Sequence, residues 1–218
     1  MKLCVTAQLY PKTGPKPPKP IGSKFQDSQN QMIKPITLAI ALSYPVFELY
    51  LLATMRGAGK TKNDDRGTII SCWALILGSI AVGFLAAHVF PGLHWPRVPG
   101  TAVMANLLII SGMVLRSWAI RHLGRFFTVD VGTQGGQKVV QDGPYTFVRH
   151  PSYTGSLISL AGIACLTFNW LGFAVIIAGC LAAYWIRISV EERVLTSNLG
   201  DEYRRYSART KRLIPGIL

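Results

Sequence analysis

The apolar residues of this chain are gathered into long blocks, and that gathering constrains the fold more than any motif does. Runs at about 35–53, 68–90 and 101–120 each approach the roughly 20 residues that a helix needs to cross hydrocarbon. A further block, residues 151–188, is too long for one crossing. It divides at Asn169-Trp170-Leu171-Gly172 into two helices of roughly 18 residues each, a tight hairpin. In lipid every backbone N–H and C=O must be satisfied within its own segment, which makes such blocks helical. The expectation is an all-α integral membrane protein with about five transmembrane helices.

Composition agrees. Of 218 residues, 50% are hydrophobic and only 15% charged, against about a quarter charged in a typical soluble domain. The net charge of +13 raises nucleic acid as a partner. The basic residues lie between spans and at the chain ends, where anionic membrane lipid and membrane orientation favour them, so no nucleic-acid partner is expected. Cys4, Cys72, Cys165 and Cys180 have neither C-x-x-C nor metal spacing, so no metal is expected either.

Residues 1–34 read as a flexible polar tail, extended and solvated across the proline-rich stretch Pro11 to Pro20. Three N-terminal spans then occupy residues 35–120. Pro45 and Glu48 fall inside the first, which predicts a kink and places Glu48 toward protein rather than lipid. Asn106 and Arg116 fall inside the third. Residues 121–150 are polar and too irregular to span. The loop at 54–67, this polar segment and the C-terminal tail are all basic and share one face, which the positive-inside tendency assigns to the cytoplasm.

The chemistry is expected near Gly143-Pro144-Tyr145-Thr146-Phe147-Val148-Arg149-His150-Pro151-Ser152-Tyr153. Pro151 suits the first turn of a helix, and His150 before it is pushed toward an extended backbone. That helix start, with free amides and a positive dipole end, is suited to an anionic group. Further on, Arg187 and Glu191 stand four residues apart and share a helix face near the membrane boundary; an ordinary ion pair is the plain alternative. Gly200 breaks the chain before a fresh charged helix, Asp201-Glu202-Tyr203-Arg204-Arg205-Tyr206, whose arginines suit a surface lying on lipid headgroups.

Taken together, GPYTFVRHPSYTG, RISVEERVL and GDEYRRYSARTKRLIPG resemble the isoprenylcysteine carboxyl methyltransferase family and related bacterial membrane methyltransferases, over roughly residues 112–216. The resemblance implies an S-adenosylmethionine-dependent methyltransferase without a Rossmann domain, its catalytic subdomain at 121–218. Its methyl acceptor would be a lipophilic small molecule or a prenylated cysteine carboxylate. Carried over by motif, the cofactor-binding positions are Gln137, Lys138, Val139, Val140, Tyr145, His150, Pro151, Ser152, Tyr153 and Glu191. Arg187 falls on the substrate-side arginine. Gln137 replaces the histidine of some relatives, and a further family position falls near Asp130. Tyr145 and Tyr153 suit a sulfonium cation through their ring faces, and Arg187 suits a carboxylate. Two other readings stay open: a membrane NADPH-dependent reductase of the sterol-reductase type, and a non-catalytic protein on the same scaffold.

Overall fold

The computed structural model describes residues 21–55, 67–96, 98–127 and 138–215. Gln137, Asp130 and the basic loop residues from Arg56 to Arg66 lie outside them. Among the described residues five helices follow one another: α1 (Ile21–Met55), α2 (Thr68–Val89), α3 (Pro99–Leu123), α4 (Pro151–Cys165) and α5 (Trp170–Arg209). Short 3-10 turns occupy Pro91–Leu93, Gly124–Phe126 and Gly143–Thr146. Among the described residues β pairing is limited to two isolated bridges, His94 with Asn169 and Val148 with Lys211.

The helix ends follow the punctuation of the sequence. Proline occupies the first turn of both α3 and α4, where its missing N–H costs nothing. Asn169 caps α5, its Oδ1 accepting from the Gly172 amide at 3.0 Å. At Gly200 the backbone turns to φ 56°, so the charged terminal helix leaves the line of α5 at the expected break. One boundary differs. Residues 1–34 were expected to be a flexible tail, yet α1 begins at Ile21. Between Ser23 and Lys34 the sequence holds no proline or glycine to stop a helix, and Pro20 precedes its first turn.

Among the described residues, four helices are long and apolar enough to cross a membrane, in the stretches Lys34–Thr54, Thr68–Val89, Gly100–Leu123 and Trp170–Arg209. The apolar part of the last ends near Ile188. The remaining helix of the expected five, α4, has only 15 residues, about 22 Å at 1.5 Å per residue. A tighter turn extends it: the amides of Leu166, Thr167 and Phe168 bond the carbonyls of Ile163, Ala164 and Cys165. The Phe168 carbonyl then accepts from the Trp95 amide at 3.1 Å. The short helix therefore reaches the level of the connection between α2 and α3.

Packing relies on small residues, because lipid supplies no hydrophobic drive between helices. A Cβ added to Gly112 of α3 would stand 2.4 Å from the Gly155 carbonyl of α4. Alanine there would force the two helices apart. Ser159 adds a hydrogen bond across the same seam to the Ile109 carbonyl, at 3.0 Å. Ile109, Leu160, Ile176 and Ile188 fill the interior, while Leu77, Leu85, Leu107 and Val114 face outward. That outward apolar surface is what a lipid solvent requires.

Candidate functional site

The Arg149-His150-Pro151 run is held in place by the C-terminal tail. The amides of Arg149 and His150 donate to the carbonyls of Lys211 and Arg212 at 2.9 and 3.1 Å. Thr154 Oγ1 donates to the Leu213 carbonyl at 2.8 Å. Beneath this pairing Glu192 gathers two guanidinium groups and an imidazole: Arg149 through Nε, His150 Nε2 at 3.1 Å and Arg212 Nη2 at 2.7 Å. The Arg212 guanidinium also lies 4.6 Å from the centre of the Trp185 ring. Burial alone would raise the Glu192 carboxyl, but His150, Arg149 and Arg212 outweigh it and pull it from 4.5 down to about 2.

One residue earlier in α5, Glu191 faces the other way, into a cavity. Tyr153 donates to its Oε2 at 2.8 Å, and His150 Nδ1 lies 3.9 Å from its Oε1. The His150 ring is thus set between two carboxylates and is 5% exposed. The Tyr153 ring continues the wall, 5.3 Å from the Tyr184 ring. Tyr145 sits in the 3-10 turn Gly143–Thr146. Its hydroxyl donates to the Ala119 carbonyl at 3.3 Å, and its own carbonyl accepts from Tyr206 at 2.7 Å. Burial pushes the Tyr145 phenol well up, and that of Tyr206 to about 12.

The cavity encloses about 1380 Å³, part of it open to solvent, and joins these groups in one space. Of the positions singled out from the sequence, Lys138, Val139, Val140, Tyr145, His150, Ser152, Tyr153, Arg187 and Glu191 all line it. Pro151 does not. It is buried behind the wall, where it starts α4. Gln137 lies outside the described residues. Arg187, 3% exposed, donates to Thr68 Oγ1 at the start of α2.

Several lining residues escaped the sequence reading. The cavity is walled also by α1, α2 and α3, so it is not confined to residues 121–218. Glu48 and Arg116, 2.8 Å apart, form an ion pair inside the membrane region, and Arg116 Nη1 donates to Ser152 Oγ at 2.9 Å. The signal was available: a glutamate and an arginine inside spans need a partner. Tyr203 and Tyr206 are buried and line the cavity. Their three-residue spacing puts them on one helix face, beneath the arginines that suggested a lipid surface. Among the described residues the Tyr203 hydroxyl has no hydrogen-bond partner.

This is a multi-pass helical membrane protein with a polar-tipped cavity reaching from the aqueous edge into the membrane region. The phospholipid methyltransferase family matches it over residues 101–202. Protein-S-isoprenylcysteine O-methyltransferase B of Arabidopsis thaliana is 30% identical over 201 residues, covering 88% of this chain and 98% of that protein. Methanethiol S-methyltransferase 1 of Bradyrhizobium diazoefficiens is 38% identical over 71 residues, 33% of this chain and 24% of the other. A solved structure of a eukaryotic intramembrane Ras methyltransferase, isoprenylcysteine carboxyl methyltransferase, aligns at TM-score 0.49 and 30% identity, covering 66% of this chain and 52% of that one. The chain belongs to the isoprenylcysteine carboxyl methyltransferase family and is a membrane methyltransferase.

Proposed function

We propose that this enzyme transfers a methyl group from S-adenosylmethionine to the carboxylate of a lipophilic acceptor of the prenylated-cysteine kind. The observation carrying this reading is the cavity that brings the Tyr153–Glu191 pair and Arg187 to one space. Its residues suit the donor. Tyr145 and Tyr153 offer aromatic faces to a cation, and Glu191 offers a carboxylate to ammonium or ribose groups. The buried hydroxyl of Tyr203, unpartnered among the described residues, offers a further hydrogen bond.

S-adenosylmethionine supplies a methyl group already activated on a sulfonium sulfur. The chain's task is then alignment, exclusion of water and control of charge. Arg187, permanently protonated and fork-shaped, holds the acceptor carboxylate at the boundary of the apolar region. A carboxylate needs no base before it attacks, so none is assigned. His150, braced by Glu192, fixes the edge of the donor site. Leu51, Leu52, Ile69 and Ile76 line the part of the cavity suited to the acceptor's hydrocarbon. The charged end, by the positive-inside tendency, faces the cytoplasm.

Arg187→Ala separates the two roles. Truncating a buried partner of a carboxylate costs about 2–5 kcal/mol, so KM for N-acetyl-S-farnesylcysteine rises by about two orders of magnitude. The S-adenosylmethionine Kd, read by calorimetry, stays within about twofold. Equal loss of both, or no saturable S-adenosylmethionine binding by folded wild-type protein, overturns the reading.

A further inference from the structure

His122 stands in the last turn of α3, one residue before the helix ends at Leu123. It does not line the cavity, whereas Tyr145 does. Yet the 3-10 turn that carries Tyr145 is seated on the His122 ring at three points. Asp142 Oδ1, just ahead of the turn, lies 3.0 Å from His122 Nε2, a contact that holds the Asp142 carboxyl below its ordinary value. Gly143, at φ 57°, comes so close to the ring that a Cβ there would stand 2.7 Å from His122 Cε1. The Tyr145 ring stacks on it, with centroids 6.3 Å apart and planes inclined by 26°, within the range of offset-stacked aromatic pairs.

These contacts divide the work of placing Tyr145. Its backbone is fixed by the amide bond to the Asp142 carbonyl at 3.1 Å and by Tyr206, which donates to the Tyr145 carbonyl at 2.7 Å. The phenol is tied at its tip to the Ala119 carbonyl at 3.3 Å. A ring held at both ends of its long axis still turns about that axis, because the second torsion of a tyrosine is broad and roughly two-fold. The tilt of the face is therefore decided by what packs flat against it. Among the described residues the ring that stacks on Tyr145 is His122. The tilt matters because a cation is attracted to the face of the ring, while the ring edge carries the positive end of the quadrupole.

We infer that His122 is a positioning residue for the methyl donor: its ring backs Tyr145 and keeps that tyrosine's free face turned toward the donor's cationic sulfur. This rests on the assignment of Tyr145 to the donor. Because His122 lies outside the cavity, its loss is felt where the Tyr145 face matters, at the positive charge. S-adenosylhomocysteine, the thioether left after transfer, carries no charge at sulfur and so isolates that contribution.

Calorimetry on the full chain compares the two adenosyl ligands in wild type, His122→Ala, His122→Phe, His122→Gln and Tyr145→Leu. A cation over a tyrosine face changes affinity by about two- to thirtyfold. His122→Ala weakens S-adenosylmethionine about fivefold and S-adenosylhomocysteine by less than about twofold, and the retained S-adenosylhomocysteine binding reports the fold. His122→Phe keeps a ring against Tyr145 and stays within about twofold of wild type for both ligands. His122→Gln keeps a donor for Asp142 without the ring and behaves as His122→Ala does. Tyr145→Leu shows the same preference for the uncharged ligand at larger amplitude. Equal weakening of both ligands by His122→Ala, no change in either, or full recovery in His122→Gln overturns the positioning role while leaving the methyltransferase reading intact. The same holds if Tyr145→Leu weakens both ligands equally. Failure of folded wild type to bind either ligand overturns the S-adenosylmethionine reading, and this inference with it.

Discussion

Two glutamates in this molecule are held by arginine, and they are held differently. Glu192, at the aqueous edge, collects Arg149, His150 and Arg212 on its two oxygens. Glu48, inside the membrane region, has Arg116 alone among the described residues, and that arginine's remaining reach goes to the Ser152 oxygens. Near water, a surplus of positive charge around one carboxylate is screened and cheap. In hydrocarbon an uncompensated charge costs several kcal/mol, so the pair must sum to zero and the spare donors must go to neutral oxygens. The first arrangement fixes a loop against a tail. The second binds α1 to α3 and α4 at the floor of the cavity.

The largest effect expected from this contrast is at the membrane pair. Glu48→Ala strands Arg116 and costs about 3–5 kcal/mol, read as a drop in Tm in detergent. Replacing both, as Glu48→Leu with Arg116→Met, recovers most of that loss. If the double variant is as unstable as the single one, the ion pair is not what holds α1.

At the aqueous glutamate the effect is smaller and depends on pH. Glu192→Gln weakens hydrogen bonds to charged partners, at about 1.5–3 kcal/mol near neutral pH. Because the Glu192 carboxyl is held down at about 2 rather than 4.5, its contribution is fully present above about 4.5. It fades as pH falls toward 2. The Tm gap between wild type and Glu192→Gln should therefore close on acidification across that window. A gap that stays constant refutes the clamp.

The smallest change in stability belongs to a buried polar group with no partner. Tyr203→Phe removes a hydroxyl that bonds nothing among the described residues, so unfolding free energy shifts by about 0.5 kcal/mol or less. S-adenosylmethionine affinity nonetheless falls about fivefold, the equivalent of one neutral hydrogen bond. A stability loss without an affinity loss would assign that hydroxyl to the fold instead.

The apolar blocks, the prolines at 99 and 151, the asparagine at 169 and the glycine at 200 were enough to read helices, their starts and the late break. Those features act through local physics: backbone satisfaction in lipid, the missing proline N–H and the tolerance of glycine for positive φ. The Arg149-His150-Pro151 block and Glu191 were likewise legible, because residues close in sequence fix the start of α4 and one face of α5. Tertiary structure alone decided that Glu192 turns from the cavity toward Arg149 and Arg212, that Glu48 finds Arg116, and that Tyr44, Ser156 and Tyr184 form one hydroxyl chain. These partners lie 20 to 112 residues apart. Only the close approach of α3 and α4 at Gly112 and Gly155, with the return of the tail onto the loop, brings them within hydrogen-bonding distance.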